Sequence, residues 1–336
     1  MENEVKLLLP NNLYDDIKRV TESDINFSVF KGKTVLVNSA AEMLGYYIVC
    51  ALLISNDLYD TNIKVVAVDK DDSIFTEYGK LTARQDIEFI VSKDFSMTNE
   101  RCDYVINTDK PCSETEVINI INYIRAAKAS AVINCGSEIY GDVFNGKDSI
   151  SEADFGYCDS YKTENFNIQL ERLMDTSAKV AAKEYGLDIK LSRICQVFGY
   201  KESGNDDGYF NIFNTVANKK NIEIKNKDKT LRSYIYVTDA AVALLKVLLF
   251  GESGEVYNIS SGYIASNDII AQYCVKLFEN LGIKVVYKDK ENFLSPMAPT
   301  IDNLNNNKLK SLGFTPEVEL QDGIVRAVKN LYEVRE

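Results

Sequence analysis

The segment Lys33–Gly45 (KTVLVNSAAEMLG) constrains the fold of this chain more than any other. An apolar run, Val35–Val37, enters a short turn, and a second apolar run follows from about Met43 to Leu53. This order of strand, tight turn and helix is typical of a nucleotide-binding βαβ unit, in which the helix N-terminus faces a phosphate. The next apolar strand ends at Asp69, about where such a unit places the acid that binds a ribose.

The turn lacks two of the three glycines of the G-x-x-G-x-x-G fingerprint. In register, the three positions hold Ser39, Glu42 and Gly45, so only the glycine that packs helix on strand is present. Glu42 puts a carboxylate at the helix N-terminus, where it either stabilises the helix dipole or repels a phosphate. Asp69 either caps its strand or binds a ribose. These four residues are the candidate cofactor-binding set, and the missing glycines predict weakened dinucleotide binding.

Composition excludes several classes of function. The chain has 336 residues, of which 50 are acidic and 38 basic, and the net charge of -12 disfavours a nucleic-acid surface. The absence of histidine excludes Ser-His-Asp and Cys-His hydrolases and His-ligated metal sites. The seven cysteines lack C-x-x-C spacing and predict free thiols in a reducing compartment, with no metal site. Without a signal peptide or an apolar run of roughly 18 residues, we expect a cytoplasmic protein with no membrane partner.

Apolar strands alternate with helical segments over the first two thirds of the chain. This alternation predicts an α/β fold, a doubly wound parallel sheet of the Rossmann type with a smaller C-terminal substrate lobe. We expect a helical extension over residues 1–30, a Rossmann-like domain over 31–200, and a lobe over 201–336 that is interleaved with the last sheet elements. The predicted strands are Thr34–Val37, Lys64–Val68, Glu88–Val91, Tyr104–Ile106, Ala131–Cys135 and Lys190–Ile194, and the clearest helices are Glu114–Ala127 and Phe166–Glu184.

Four further motifs follow in order along the chain. They are AVINCGSEIYG at 131–141, LSRICQVFG at 191–199, RSYIYVTD at 232–239 and GEVYNI at 254–259. Together they resemble the extended short-chain dehydrogenase/reductase superfamily, specifically its NAD-dependent epimerase/dehydratase branch of nucleotide-sugar enzymes, from about Lys33 to Tyr332. The resemblance implies NAD or NADP as cofactor, a nucleotide or nucleotide sugar as ligand, and a homodimer formed through helices at about 114–127 and 160–184.

The resemblance also identifies the positions of the active centre. In that family a Ser or Thr acts with the Tyr and Lys of Y-x-x-x-K: the Lys lowers the tyrosine pKa, the phenolate moves the proton, and the hydroxyl polarises the substrate oxygen. The corresponding positions here hold Gly136, Asn167 and Glu171. The change from lysine to Glu171 reverses the charge that would stabilise a tyrosinate.

Displaced residues could replace the lost groups. Ser137 is one residue beyond the hydroxyl position, and Tyr161 with Lys162 lies upstream of the tyrosine position. The alternative is that these are ordinary surface or helix-start residues, because a six-residue shift along a helix moves a side chain by roughly 9 Å. Ser137 and Tyr161 are the catalytic candidates.

On the substrate side the motifs are better preserved. The family's pyrophosphate-binding arginine matches Arg232, Gln196 stands where an Asn contacts the sugar nucleotide, and Arg193 opens that motif. The lysines of the segment Lys225–Lys229 either add phosphate affinity or form an exposed charged turn. The family's small apolar cofactor-contact motif is replaced by Asn107–Lys110.

Three hypotheses for the function follow. The first is a homologue that binds a nucleotide, a nucleotide sugar or a protein partner but lacks the Ser-Tyr-Lys chemistry. The second is an active NAD(P)-dependent nucleotide-sugar epimerase, dehydratase or decarboxylase that uses the displaced residues. The third is a structural subunit that pairs with an active relative.

Overall fold

A computed structural model describes residues 4–96, 101–144, 147–200, 209–224, 231–288 and 301–333. Its strands are β1 (Thr34–Asn38), β2 (Lys64–Asp69), β3 (Ile87–Val91), β4 (Tyr104–Asn107), β5 (Ser130–Asn134), β6 (Ile189–Ile194), β7 (Gln196–Phe198), β8 (Ile222–Ile224), β9 (Leu231–Tyr236), β10 (Val256–Ile259), β11 (Tyr263–Ala265), β12 (Val285–Tyr287) and β13 (Ile301–Asp302). Its α-helices are α1 (Val5–Leu8), α2 (Asn11–Thr21), α3 (Met43–Tyr59), α4 (Ser73–Tyr78), α5 (Glu114–Ala127), α6 (Phe166–Tyr185), α7 (Tyr209–Ala217), α8 (Val237–Phe250), α9 (Asn267–Leu277), α10 (Asn307–Lys310) and α11 (Leu320–Glu333).

The main sheet is parallel and has seven strands in the order β10-β6-β5-β4-β1-β2-β3. Its strands are buried on both faces: alternate residues of β1, for example Val35 and Leu36, belong to two different apolar cores. Helices α3 and α8 cover one face and α5 and α6 the other. The predicted doubly wound fold is therefore confirmed, and the six predicted strands agree with β1–β6 to within a residue at either end.

The strand order reverses between β4 and β1, which defines the topological switch point of the sheet. Ligands of open α/β sheets bind outside the carboxyl ends of the strands at such a point. The elements that position the candidate site are therefore the loops after β1, β4, β5 and β6.

The C-terminal part of the chain contributes to the main sheet and to a second, four-stranded sheet, and it pairs β12 with β8. It adds β10 to the edge of the main sheet and builds a smaller sheet in which β9 lies between β11 on one side and β7 and β13 on the other. Charged side chains cover the exposed edge of β10: Glu152 accepts a hydrogen bond from the Asn258 N–H, and Lys308 donates one to the Val256 carbonyl. Such capping protects an edge strand from pairing with another chain.

The segment before β1 packs on the main domain through α2. Its Asp16 is buried and accepts hydrogen bonds from the Tyr236 hydroxyl at 2.5 Å and from the Arg326 guanidinium at 3.2 Å. This carboxylate therefore joins α2 to β9 and to α11. The division into an extension, a central domain and a lobe stays a prediction, because the three share apolar contacts in one core.

Candidate functional site

A cavity of about 260 Å³ lies at the carboxyl ends of the central strands. This volume is just below the range of about 300–1,000 Å³ that is typical of small-molecule sites. We call it the crevice. Its lining comes from the start of α3, the loops after β4 and β5, and the β6–β7 junction: Glu42, Leu44, Thr108, Asp109, Lys110, Asn134, Gly136, Ser137, Glu138, Ile194, Cys195, Gln196 and Val197.

The turn between β1 and α3 keeps the shape of a phosphate-binding turn, but its N–H groups donate to acceptors within the protein. Ser39 has a φ of 57°, the left-handed conformation that favours glycine. Gly45 permits close packing, since a Cβ there would lie 2.3 Å from the Ser39 carbonyl oxygen. The N–H groups of Ala40, Ala41 and Glu42 donate to the Val68 carbonyl, the Asp69 carboxylate and the Ser39 carbonyl, respectively. These three N–H groups therefore already have acceptors within the protein.

Asp69 lies at the end of β2, as predicted, but its carboxylate is turned into the structure. It is 4% exposed and accepts from the N–H groups of Ala41 and Lys70, both at 2.8 Å. Burial raises the pKa of this carboxyl group, and the two backbone N–H donors oppose that rise. The geometry matches the capping alternative, and ribose binding by Asp69 stays a prediction.

Polar side chains also bridge the switch point. The Asn38 amide donates to the Asn107 side chain at 2.6 Å, and both residues are almost completely buried. The Thr108 hydroxyl donates to the Asn38 carbonyl at 2.9 Å. These contacts tie the loop after β4 to the turn after β1 at the place where a Rossmann sheet holds a dinucleotide.

Glu171 and Gly136, which occupy the lysine and hydroxyl positions of the resemblance, are in direct contact. The Glu171 side chain is fully buried, and a Cβ placed on Gly136 would lie 2.2 Å from its Oε1 atom. Gly136 also has a φ of 86°. A Ser or Thr at 136 is therefore incompatible with the carboxyl group of Glu171 in this position.

The Glu171 carboxyl group is poorly compensated. Neither oxygen has a hydrogen-bond partner among the residues that the structure describes, and the Lys110 ammonium is 3.8 Å from Oε1. Burial raises the pKa of Glu171 to about 8, with a further contribution from the negative charge of Glu138, while Lys110 opposes the rise. Lys110 itself pairs with Glu138 at 2.6 Å. The Glu171 carboxyl group is therefore mainly protonated at neutral pH.

The structure separates the two candidate catalytic residues. Ser137 lines the crevice and is half-buried. Tyr161 is 97% exposed, in the loop before α6, and is not among the residues that line the crevice. Asn167, at the family's tyrosine position, is exposed on the first turn of α6. The phenol that the displaced-residue hypothesis needs is therefore not brought to Ser137, and the catalytic roles of both residues stay predictions.

Arg193 occupies a structural position on β6. Its guanidinium is fully buried, donates to Asp175 at 2.9 Å and to the Glu152 carbonyl at 3.0 Å, and stacks on the rings of Tyr140 and Phe155. A predicted substrate contact by Arg193 finds no support in this geometry, because the guanidinium faces the protein interior and supports the elements around the crevice.

The other two substrate-side residues have more access to ligand. Gln196 is exposed, lines the crevice and opens β7. In the strand register Gln196 lies opposite Tyr234 of β9, two residues from the half-buried Arg232. Their predicted contacts with substrate remain predictions. Lys225, Lys227 and Lys229 lie outside the described residues.

Three charged residues of the crevice were missed as site residues in the sequence. Asp109 and Lys110 follow β4 directly, and Glu138 follows β5. A charged residue just beyond the carboxyl end of a central parallel strand is the signal that could have identified them, because such positions face the ligand crevice.

Two further findings concern metal-ligand clusters and membrane-spanning helices. Over the described ranges, no group of three or more Cys, Asp and Glu side chains is arranged to bind a metal ion. In the same part of the chain, no helix has both the length and the apolar character required to cross a bilayer.

Comparison with known proteins agrees with this architecture. A low-salt glycan biosynthesis protein from Haloferax volcanii is 26% identical over 193 residues, which cover 57% of this chain and 58% of that protein. An epimerase structure from Methanothermobacter thermautotrophicus superposes with a TM-score of 0.74 at 19% identity, with 96% of each chain covered. A dTDP-glucose 4,6-dehydratase from Bacillus anthracis, solved in complex with NAD, gives a TM-score of 0.72 at 17% identity over 90% of this chain and 97% of its own.

The model of the NAD-dependent epimerase/dehydratase family matches residues 45–260, which is more than half of the chain and includes most of the residues that line the crevice. With the seven-stranded sheet and the motif order, this match confirms the resemblance seen in the sequence. The chain belongs to the NAD-dependent epimerase/dehydratase family.

Proposed function

We propose that this chain binds a nucleotide sugar in the crevice and does not carry out the Ser-Tyr-Lys chemistry of its family. The observation that carries the proposal is the contact between Glu171 and Gly136. One buried carboxyl group replaces the active-centre ammonium and excludes the active-centre hydroxyl. General acid/base help of this kind typically contributes 10²–10⁴-fold to a rate, and no phenol reaches the crevice from Tyr161.

The residues present do not fit NAD or NADP held as the fingerprint requires. The N–H groups of Ala40, Ala41 and Glu42 already have acceptors, and the Asp69 carboxylate is one of them. Buried amides bridge the switch point between β1 and β4. The proposed function therefore involves no reaction step at a nicotinamide.

The proposed ligand contacts come from the substrate side of the crevice. Arg232 is assigned to the diphosphate, because a guanidinium binds phosphate oxygens bidentately. Gln196 is assigned to the sugar, since its amide can both donate and accept. Both residues lie on the smaller sheet, whose β7 strand begins at the crevice.

The test is equilibrium titration of the purified protein with UDP-glucose, dTDP-glucose, GDP-mannose and CDP-glucose, followed by incubation of any ligand with NAD or NADP. We expect at least one nucleotide sugar to bind and to be recovered unchanged. Arg232→Met should weaken binding by at least tenfold, since a hydrogen bond to a charged group contributes about 1.5–3 kcal/mol. Arg101→Met is the matched control, because Arg101 precedes β4 and so lies near the amino-terminal ends of the strands, away from the crevice at their carboxyl ends.

Two results would contradict the proposal. Conversion of a nucleotide sugar to an epimerised, dehydrated or decarboxylated product in the presence of NAD or NADP would restore the active-enzyme hypothesis. Failure of all four nucleotide sugars to bind would leave the crevice without its proposed ligand.

We also propose that the chain forms a homodimer through α5 and α6. Phe166, Leu173 and Val180 are spaced by seven residues along α6 and are 52%, 42% and 48% exposed, and Ile118 of α5 is 56% exposed. Seven residues are nearly two helical turns, so the three side chains of α6 form one stripe. An exposed apolar stripe of this kind is typical of a protein interface.

Sedimentation equilibrium tests this second proposal. Leu173→Glu should convert a dimer to a monomer, because it places a charge in the centre of the stripe. Leu58→Glu, at the end of α3, is the control, since Leu58 is also 42% exposed. A wild-type chain that sediments as a monomer would refute the dimer.

A further inference from the structure

Among the residues that the structure describes, more acids than bases line the crevice. They are the acids Glu42, Asp109 and Glu138 and the base Lys110. Burial and the charge of Glu42 raise the pKa of Asp109, while the Lys110 N–H group and the charges of Lys70 and Lys110 oppose the rise. A phosphate would be repelled from this part of the crevice, whereas a cation would be attracted.

Glu171 adds a second, independent observation. Its carboxyl group is fully buried, and neither oxygen has a hydrogen-bond partner among the described residues. It lies against Gly136, which lines the crevice, at the position where the family carries its substrate-facing hydroxyl. A buried polar group without a partner costs about 1–3 kcal/mol, and more if it is charged. This carboxyl group therefore lacks a donor that a ligand can supply.

Resting on the proposed function, we propose that the sugar bound in the crevice is an amino sugar, whose primary ammonium group binds Glu171 together with Glu138. The Lys110 ammonium is 3.8 Å from Glu171 Oε1 and already pairs with Glu138. Its side chain is 40% exposed and flexible, so it can move aside and admit the ligand.

Binding of the ammonium is coupled to a proton. The groups that act on Glu171 are Glu138, which raises its pKa together with burial, and Lys110, the Ile139 N–H group and Arg193, which lower it. The buried Cys135 thiol lies within electrostatic range, and burial raises its pKa well above the ordinary value, so it stays neutral. A ligand ammonium beside Glu171 adds another positive charge and lowers its pKa, so that Glu171 releases a proton when the ligand binds.

The experiment is calorimetric titration of the full chain with UDP-glucosamine, UDP-glucose and UDP-N-acetylglucosamine. The three differ at one position of the sugar, which carries an ammonium, a hydroxyl or an acetamido group. We expect UDP-glucosamine to bind at least tenfold more tightly than the other two, the factor of a charge-assisted hydrogen bond. Between pH 6 and 8, two buffers of different ionisation enthalpy should give different heats for UDP-glucosamine, because a proton is released.

Glu171→Gln keeps the shape of the side chain and removes its charge. It should reduce the preference for the amine to within about threefold and abolish the buffer dependence. Glu114→Gln, which changes an exposed acid on α5, should leave both unchanged. A role of Glu171 in packing alone would not produce a proton signal.

Equal affinity for UDP-glucosamine and UDP-glucose would overturn this inference and leave the proposed function intact. An amine preference that survives Glu171→Gln would also overturn it, because the ammonium would then bind elsewhere. Failure of all three ligands to bind overturns it as well, and the proposed function is then decided by the dTDP-, GDP- and CDP-sugars of its own panel.

Discussion

Gly136→Ala should be one of the most destabilising alanine substitutions at a glycine of this chain. Two separate costs contribute. At a φ of 86° the backbone is in a region that L-residues avoid, at about 1–2 kcal/mol. The new Cβ would also lie 2.2 Å from Glu171 Oε1 and 2.7 Å from Oε2, so a fully buried side chain must repack at about 1–3 kcal/mol. We expect a total loss of about 2–5 kcal/mol in the free energy of unfolding.

Two controls separate these costs. Gly32 has a φ of 68° and no atom within 4 Å of an added Cβ, so Gly32→Ala should show the backbone cost alone, about 1–2 kcal/mol. In a Glu171→Ala background the clash is absent, and Gly136→Ala should fall to the same value. The double-mutant cycle should therefore give a coupling energy of about 1–3 kcal/mol between the two sites.

Equilibrium unfolding in urea, monitored by circular dichroism, measures all four variants. If Gly136→Ala costs no more than Gly32→Ala, and the cycle closes to within about 0.5 kcal/mol, Glu171 does not fill the space beside Gly136. Glu171 would then not exclude a hydroxyl side chain at position 136.

Two further predictions concern buried charge. The pKa of Glu171 is raised to about 8 in the folded chain, so the free energy of unfolding of the wild type should fall between pH 4.5, its ordinary pKa, and pH 8. Glu171→Gln lacks this titration, so its stability relative to wild type should rise by about 1 kcal/mol per pH unit over that window and then level off. Urea titrations measure this difference, with Glu114→Gln as a control that should show no such change. Arg193→Met removes the guanidinium from the buried Asp175, which still pairs with Lys179 at 2.7 Å, and should cost about 1.5–3 kcal/mol, whereas a loss below about 1 kcal/mol would show that the pair is dispensable.

The sequence predicted the fold well because its signals were local and repeated. Each strand of the main sheet is a short apolar run, and a strand buried on both faces needs no other pattern. Helix α5 was predicted at its observed bounds, Glu114–Ala127, because Ser113 caps its first turn and the helix has an apolar face.

The site was less predictable because it depends on contacts between distant residues. The sequence identified Gly136 and Glu171 as altered, but their contact joins the loop after β5 to α6 and follows from no spacing in the chain. Burial of Arg193 was hidden for the same reason: its partner Asp175 lies on another element, and an arginine in a family motif is naturally assigned to substrate. Lys110 and Glu138 form their pair across two loops.

The turn after β1 shows how a binding geometry can persist after its ligand contacts have changed. Ser39 holds a left-handed conformation at a cost of roughly 1–2 kcal/mol, which a glycine would avoid. The turn still forms because Asp69 accepts the Ala41 N–H group and Thr108 donates to the Asn38 carbonyl. A phosphate is one acceptor for such a turn, but a carboxylate from the neighbouring strand serves equally well. Contacts within the protein therefore hold the turn in this conformation.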